Sequence, residues 1–192
     1  TAGTGIVHAE GPTKEFIEKG GNLEGIQLWL NLPASKKLMA ANYQHVKPEE
    51  MPTILSEDKL VNVKIVSGEL GAEKGKIETQ TPVNSFIIEA KASGKHFIEL
   101  PKNHQALVYL VSGEAEINGE ILALDKQQCV QFNEDGDGFL LEAKTESIFL
   151  VLSGEPLKEP VATYGPFVMN KQSEIIEAMN DYQAGKMGYL AE

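Results

Sequence analysis

Residues 108–119 read VYLVSGEAEING. Two apolar runs flank Ser112–Gly113–Glu114, and a second turn, Asn118–Gly119–Glu120, follows at once. Short Gly- and Asn-bearing turns between apolar runs signal an antiparallel hairpin. The pattern repeats outward from this stretch. Val61–Val66 (VNVKIV) puts Val61, Val63 and Ile65 on one face, because successive side chains of a strand point to opposite sides. Gly25–Leu32 (GIQLWLNL) alternates likewise, with Ile26, Leu28, Leu30 and Leu32 on one face and Gln27, Trp29 and Asn31 on the other. It is expected to be a strand. Further strands are expected at Ser85–Ala90, Ala106–Val111, Ala115–Ile117, Cys129–Phe132, Phe139–Glu142 and Ile148–Leu152. A spacing of about ten residues, with Gly, Asp, Asn or Pro between, is that of an antiparallel sandwich or barrel.

One helix is expected near the C-terminus. Asn170 reads as its cap, Ile175, Ile176, Met179 and Tyr182 recur at helical spacing, and Gly185 stands where it should stop. The helix is expected to cover a sheet face or reach back to the first domain. Pro33–Met51 is polar and reads as a long connection with one short helix near Pro48–Met51. KIETQTPVN (76–84) breaks the strand pattern and places a domain junction at about residue 80.

Composition excludes several classes. The net charge is −11 and every one of the 17 basic residues is lysine. Nucleic-acid binding through the chain's own charge wants a basic patch, usually with arginine, so no direct nucleic-acid contact is expected. No apolar run approaches the roughly 18 residues that span a membrane. The single cysteine, Cys129, cannot form an internal disulfide, which fits a reducing cytoplasm.

His8 and Glu10 carry the chemistry. They lie two apart, so on a strand they share a face. An imidazole and a carboxylate together suit a divalent first-row metal, iron or manganese above all. Gly3 and Gly5 permit a tight turn or close backbone approach. By spacing alone such a pair is common on protein surfaces.

GIVHAE (5–10), GIQLWLNLP (25–33), ANYQHV (41–46), GEPLKEPVATYGPFVMN (154–170) and DYQAGKMG (181–188) occur in that order. Together they resemble the pirin group of two-barrel cupin proteins. The SGE and NGE turns of 112–120 likewise recur in cupins. The resemblance implies an all-β fold of two cupin-type, jelly-roll-like barrels, the first incomplete, with a C-terminal helix. Residues 1–80 would be the remainder of an N-terminal metal-binding domain plus a connection. Residues 81–160 would be a C-terminal cupin domain without metal, and 161–192 a tail with the helix. The first residue is Thr1, and residues 1–10 read as the interior of a domain. The chain is therefore expected to start partway into its first barrel.

The same resemblance implies that His8 is the third and Glu10 the fourth ligand of a His–His–His–Glu site. The first two ligands would lie on an earlier H-x-H stretch, and no H-x-H occurs in this sequence. The implied metal is Fe(II), with other first-row metals admitted. The implied activity is that of a quercetin 2,3-dioxygenase, which opens a flavonol, a small aromatic substrate, with dioxygen. Glu10 would serve as ligand and as catalytic proton acceptor, while His8 holds and tunes the metal. Two alternatives stand beside it. One is a metal- or redox-dependent regulatory protein that binds a transcription or metabolic partner. The other is a catalytically silent relative, whose unpaired strand edges would favour oligomerisation.

Other polar residues receive plain readings. His96 and His104 are expected in loops or at the surface of a barrel without metal. Counting back from Gly113 to the place of a cupin glutamate reaches Ala106, which cannot ligate. NEDGDG (133–138) imitates the start of a calcium loop, but Lys144 stands at position twelve, so it reads as an acidic turn. Cys129 is expected in the core, His45 in a loop, and Lys36 with Lys37 as a solvated pair.

Overall fold

A computed structural model of the chain describes residues 1–9 and 11–190. The chain divides into two compact units, Gln44–Pro156 and a second made of Thr1–Tyr43 with Leu157–Glu192. The region near residue 80 lies inside the first of these. Strands on both sides of it belong to one sheet, and that sheet's hydrogen bonds tie residues 53–67 to residues 83–154.

The 44–156 unit holds twelve strands. They are β1 (Thr53–Leu55), β2 (Val61–Ser67), β3 (Glu69–Leu70), β4 (Glu73–Lys74), β5 (Val83–Ala90), β6 (Lys95–Glu99), β7 (Gln105–Ser112), β8 (Glu114–Ile117), β9 (Glu120–Ala123), β10 (Cys129–Gln131), β11 (Gly138–Ala143) and β12 (Ser147–Gly154). A short 3-10 turn, Pro48–Glu50, precedes them. A six-stranded sheet runs β1-β2-β5-β12-β7-β10 and a four-stranded sheet runs β6-β11-β8-β9; β3 pairs with β4 alone. All these ladders are antiparallel.

The two large sheets share one apolar core. The six-stranded sheet supplies Val61, Val63, Ile65, Phe86, Ile88, Val108, Leu110, Phe149 and Val151. The four-stranded sheet supplies Ile98, Ala115, Ile117, Leu122, Phe139 and Leu141. Each of these side chains is fully buried, at a gain of roughly 1.5–3 kcal/mol for a large one.

The opening stretch is corrected in one respect. β7 and β8 lie in different sheets, so Ser112–Glu114 is a corner and not a paired hairpin. Gly113 turns the chain at φ +91°, and a Cβ there would collide with the Ser147 hydroxyl and the Glu146 carbonyl. The Glu114 N–H is held by Thr145 Oγ1 at 2.9 Å and Ser147 Oγ at 3.1 Å. The true hairpin is β8–β9. Its loop is Asn118 and Gly119, both with positive φ, as a two-residue primed turn requires.

The other unit carries α1 (Lys14–Lys19), the hairpin of β13 (Ala162–Tyr164) and β14 (Phe167–Met169), and α2 (Gln172–Gln183). The Thr13 hydroxyl caps α1, accepting from the Phe16 N–H at 3.2 Å. α2 begins one residue later than its expected cap. Lys171 holds that position, and Glu174 Oε2 accepts from the Asn170 and Lys171 N–H groups. Ile175 is fully buried, while Ile176 and Tyr182 stay exposed. Tyr182 meets Phe167 edge-on, with ring centroids 6.3 Å apart.

The expected strand at Gly25–Leu32 is not found: among the described residues this stretch enters no ladder. Most of its apolar side chains are open to solvent, Ile26 at 52%, Trp29 at 64% and Leu30 at 52%. Alternation prepares a strand, but a partner edge must supply its hydrogen bonds. Among the described residues no helix is long and apolar enough to cross a membrane.

Candidate functional site

The segment leading to His8 is fixed almost wholly by backbone bonds. The Thr1 backbone nitrogen donates to the Asn42 carbonyl at 2.8 Å, and the Asn42 N–H returns to the Thr1 carbonyl at 3.0 Å. The Thr4 N–H reaches the Met39 carbonyl at 2.9 Å, and the Gly5 N–H closes a turn onto the Ala2 carbonyl at 2.9 Å. Gly3 sits in that turn at φ +53°, with no room for a Cβ against the Met39 carbonyl. The Val7 N–H then bonds the Met187 carbonyl at 3.0 Å, and Gly5 packs on the Met187 side chain. The segment is thus clasped between residues 39–42 and the stretch after α2. His8 follows directly and is exposed, on irregular backbone rather than a strand. Glu10, the other candidate ligand and the candidate catalytic carboxylate, lies outside the described residues.

A polar cluster in the same unit escaped the sequence reading. Lys37 is 6% exposed, not solvated. Its ammonium donates to Asn31 Oδ1 at 2.6 Å and to the Val168 carbonyl at 3.3 Å. Burial pushes Lys37 below the ordinary lysine value, while Glu159 and Glu174 pull it back up. Glu159 Oε2 accepts from the Ala34 N–H at 2.7 Å and from Asn170 Nδ2 at 2.9 Å. Asn170 is therefore a clasp between segments, its amide also reaching the Pro160 carbonyl. Asn31, Glu159 and Asn170 lie in the motif-bearing stretches, but Lys37 lies between two of them, so the motifs gave no sign of the cluster.

The remaining candidates separate. His104 is buried at 8% exposure, against expectation, with Nδ1 3.1 Å from Ser153 Oγ. Burial holds it below the ordinary histidine value, opposed by Glu155. His96 lies half-buried on β6 and not in a loop, while His45 is exposed. Cys129 is exposed, not in the core. The phase of β10 turns Val130 inward instead, and Cys129 pairs with the exposed Tyr109. The NEDGDG stretch forms the turn between β10 and β11.

Among the described residues no three or more His, Cys, Asp or Glu side chains converge to hold a metal ion.

A sequence model of the pirin C-terminal cupin domain matches residues 86–188. The chain belongs to the pirin family. Mouse pirin is 37% identical to it over 196 residues, covering 98% of this chain and 64% of the mouse protein. A Pseudomonas aeruginosa relative, provisionally named a quercetin 2,3-dioxygenase, is 36% identical over 187 residues, covering 97% of this chain and 64% of that protein. The crystal structure of a quercetin 2,3-dioxygenase from Acinetobacter baumannii superposes with a TM-score of 0.78 at 33% identity, covering 85% of this chain and 56% of that one. This pirin-family chain therefore spans less than two thirds of the length of these relatives. Its fold is mostly β-sheet of the cupin kind with a C-terminal helix.

Proposed function

We propose that this pirin-family chain is part of a metal-dependent cupin protein of the quercetin 2,3-dioxygenase type, acting in the cytoplasm on a flavonol-like aromatic. His8 and Glu10 are two donors of one divalent-metal site, with Fe(II) the metal their pairing suits. Glu10 is also the carboxylate assigned to take the substrate proton. The observation that carries this reading is the double clasp on residues 1–7, which fixes the approach to His8 from two distant parts of the chain. A rigid supporting shell is what a ligand-bearing segment needs. The likeness to the Acinetobacter quercetin 2,3-dioxygenase supports the substrate class.

Anaerobic equilibrium dialysis against Fe(II) tests the donors. The 192-residue chain should take up iron weakly, since two protein donors bind a divalent ion poorly, and His8→Ala should abolish the uptake. Uptake unchanged by that substitution overturns the assignment. Oxygen consumption with quercetin and added iron should stay low for this chain alone; turnover at the level of a full-length relative would contradict a half-site.

A second reading is a regulatory protein whose partner docking depends on metal or redox state. The solvent-exposed apolar run at Ile26, Leu28, Trp29 and Leu30 favours it, since such patches mark interaction surfaces. Pull-down with and without chelator separates the two readings, because metal-independent capture removes the redox version.

A further inference from the structure

At one end of the 44–156 unit the inner face of the six-stranded sheet changes character. Along β2, Val61, Val63 and Ile65 give way to Ser67; along β5, Ile88 and Phe86 give way to Asn84. Along β12, Phe149 and Val151 give way to Ser153, and Leu110 and Val108 of β7 are preceded by Ala106 and then His104. The register sets Ser153 opposite both Asn84 and Ala106, while a register shift after Ile65 puts Ser67 opposite Ser85. Ser67, Asn84, Ser153 and His104 are exposed by 3%, 4%, 3% and 8%. A buried polar layer over an apolar core is costly unless its hydrogen bonds are met.

Three of the four have partners. His104 and Ser153 bond each other at 3.1 Å, and the Ser67 hydroxyl leans on the Val83 carbonyl at 3.5 Å. Asn84 is half satisfied. Its Oδ1 accepts from the Glu69 N–H at 3.1 Å, but among the described residues its buried Nδ2 has no acceptor. Asn84 also lines a cavity of about 370 Å³, within the size range of small-molecule sites. Ile77 and Pro101 form apolar walls, and Glu69, Glu78 and Lys74 stand around it. Lys74 is already matched to Glu69 at 3.4 Å, so the surroundings are acidic on balance. Gly68 bends there at φ +79°, where a Cβ would fall on Asn84 Oδ1.

We propose that this cavity binds a small neutral molecule, which places a carbonyl oxygen on Asn84 Nδ2 and an apolar body against Ile77 and Pro101. An orphaned donor calls for an acceptor. The acidic rim disfavours an anionic one. The cavity is lined by residues of the 44–156 unit alone, and the proposal invokes no metal.

The test is titration of the ¹⁵N-labelled 192-residue chain, followed by NMR, with δ-valerolactam and cyclohexanone as neutral carbonyl probes and acetate as the charged one. The neutral probes should shift the Asn84 side-chain amide and the backbone amides of Gly68, Gly75 and Ile77 in a saturable way, and acetate should not. Asn84→Asp keeps an acceptor for the Glu69 N–H and removes the donor, so the shifts should vanish. Ile77→Asp, at a half-buried wall position, leaves Asn84 intact and should abolish them too. Absence of saturable shifts with both neutral probes, equal shifts with acetate, or binding that survives Ile77→Asp each overturns the site.

Discussion

Val61–Ser67 and Gly25–Leu32 carry the same apolar–polar alternation and meet opposite fates. In the first, Val61, Val63 and Ile65 are fully buried, with β1 bonded on one side and β5 on the other. In the second, Ile26, Leu28 and Leu30 are 40–52% exposed, and no described strand pairs with them. The contrast separates two requirements. Alternation makes a face that gains from burial, but a bonded neighbour and a second layer turn that face into a strand.

Amide hydrogen exchange should show the widest gap between the two. The amides of β2, β5 and β12 should open only with global unfolding, on the order of 5–15 kcal/mol for a domain. Those of residues 23–26 and 28–30 should exchange at a cost near zero. Matching protection in the two regions would erase the contrast.

Substitution should give the next largest difference. Phe86→Ala empties a fully buried site between the sheets and should cost about 3–5 kcal/mol. Trp29→Ala removes a larger ring that is 64% exposed and should stay within about 0.5 kcal/mol. Urea midpoints of the two variants decide the matter, and a large loss in Trp29→Ala would mean the run is covered in solution.

The smallest effect concerns pH and the 44–156 unit alone. Folding holds His104 below its ordinary value of 6.5. The unfolded chain therefore binds a proton that the folded unit refuses. Stability should fall as pH drops below 6.5 and level off once the folded value is passed. Thermal melts between pH 7 and 5 should show this slope, and His104→Asn should flatten it. A slope untouched by the substitution would remove His104 as its source.

These regions also mark what sequence reasoning reaches. β2 is legible as an alternating run, and β5, β7, β8, β11 and β12 as short apolar runs spaced by turn residues, because their local pattern and their burial agree. α1 was not, since six residues hold too little periodicity to register. Cys129 was assigned the wrong face because a three-residue edge strand does not reveal its phase. The burial of Lys37 and His104 was hidden for another reason. Their partners Val168 and Ser153 lie 131 and 49 residues away, and no local window contains both ends. At the candidate metal site, the residue types at 8 and 10 were legible. The clasp from Met39, Asn42 and Met187 was not, because backbone bonds leave little trace in side-chain identity.

The unit bearing His8 is discontinuous, built from Thr1–Tyr43 and Leu157–Glu192. A ribosome adds roughly 5–20 residues per second. Residues 44–156 can thus emerge and pair their strands while the far half of the other unit is still unmade. The bond from Val7 to Met187 must wait on the order of ten seconds at such rates. During that interval the nascent chain presents Leu23–Leu30 with the 157–192 part of its own unit still unmade. The segment that leads to His8 is made some 180 residues before the stretch that fastens it.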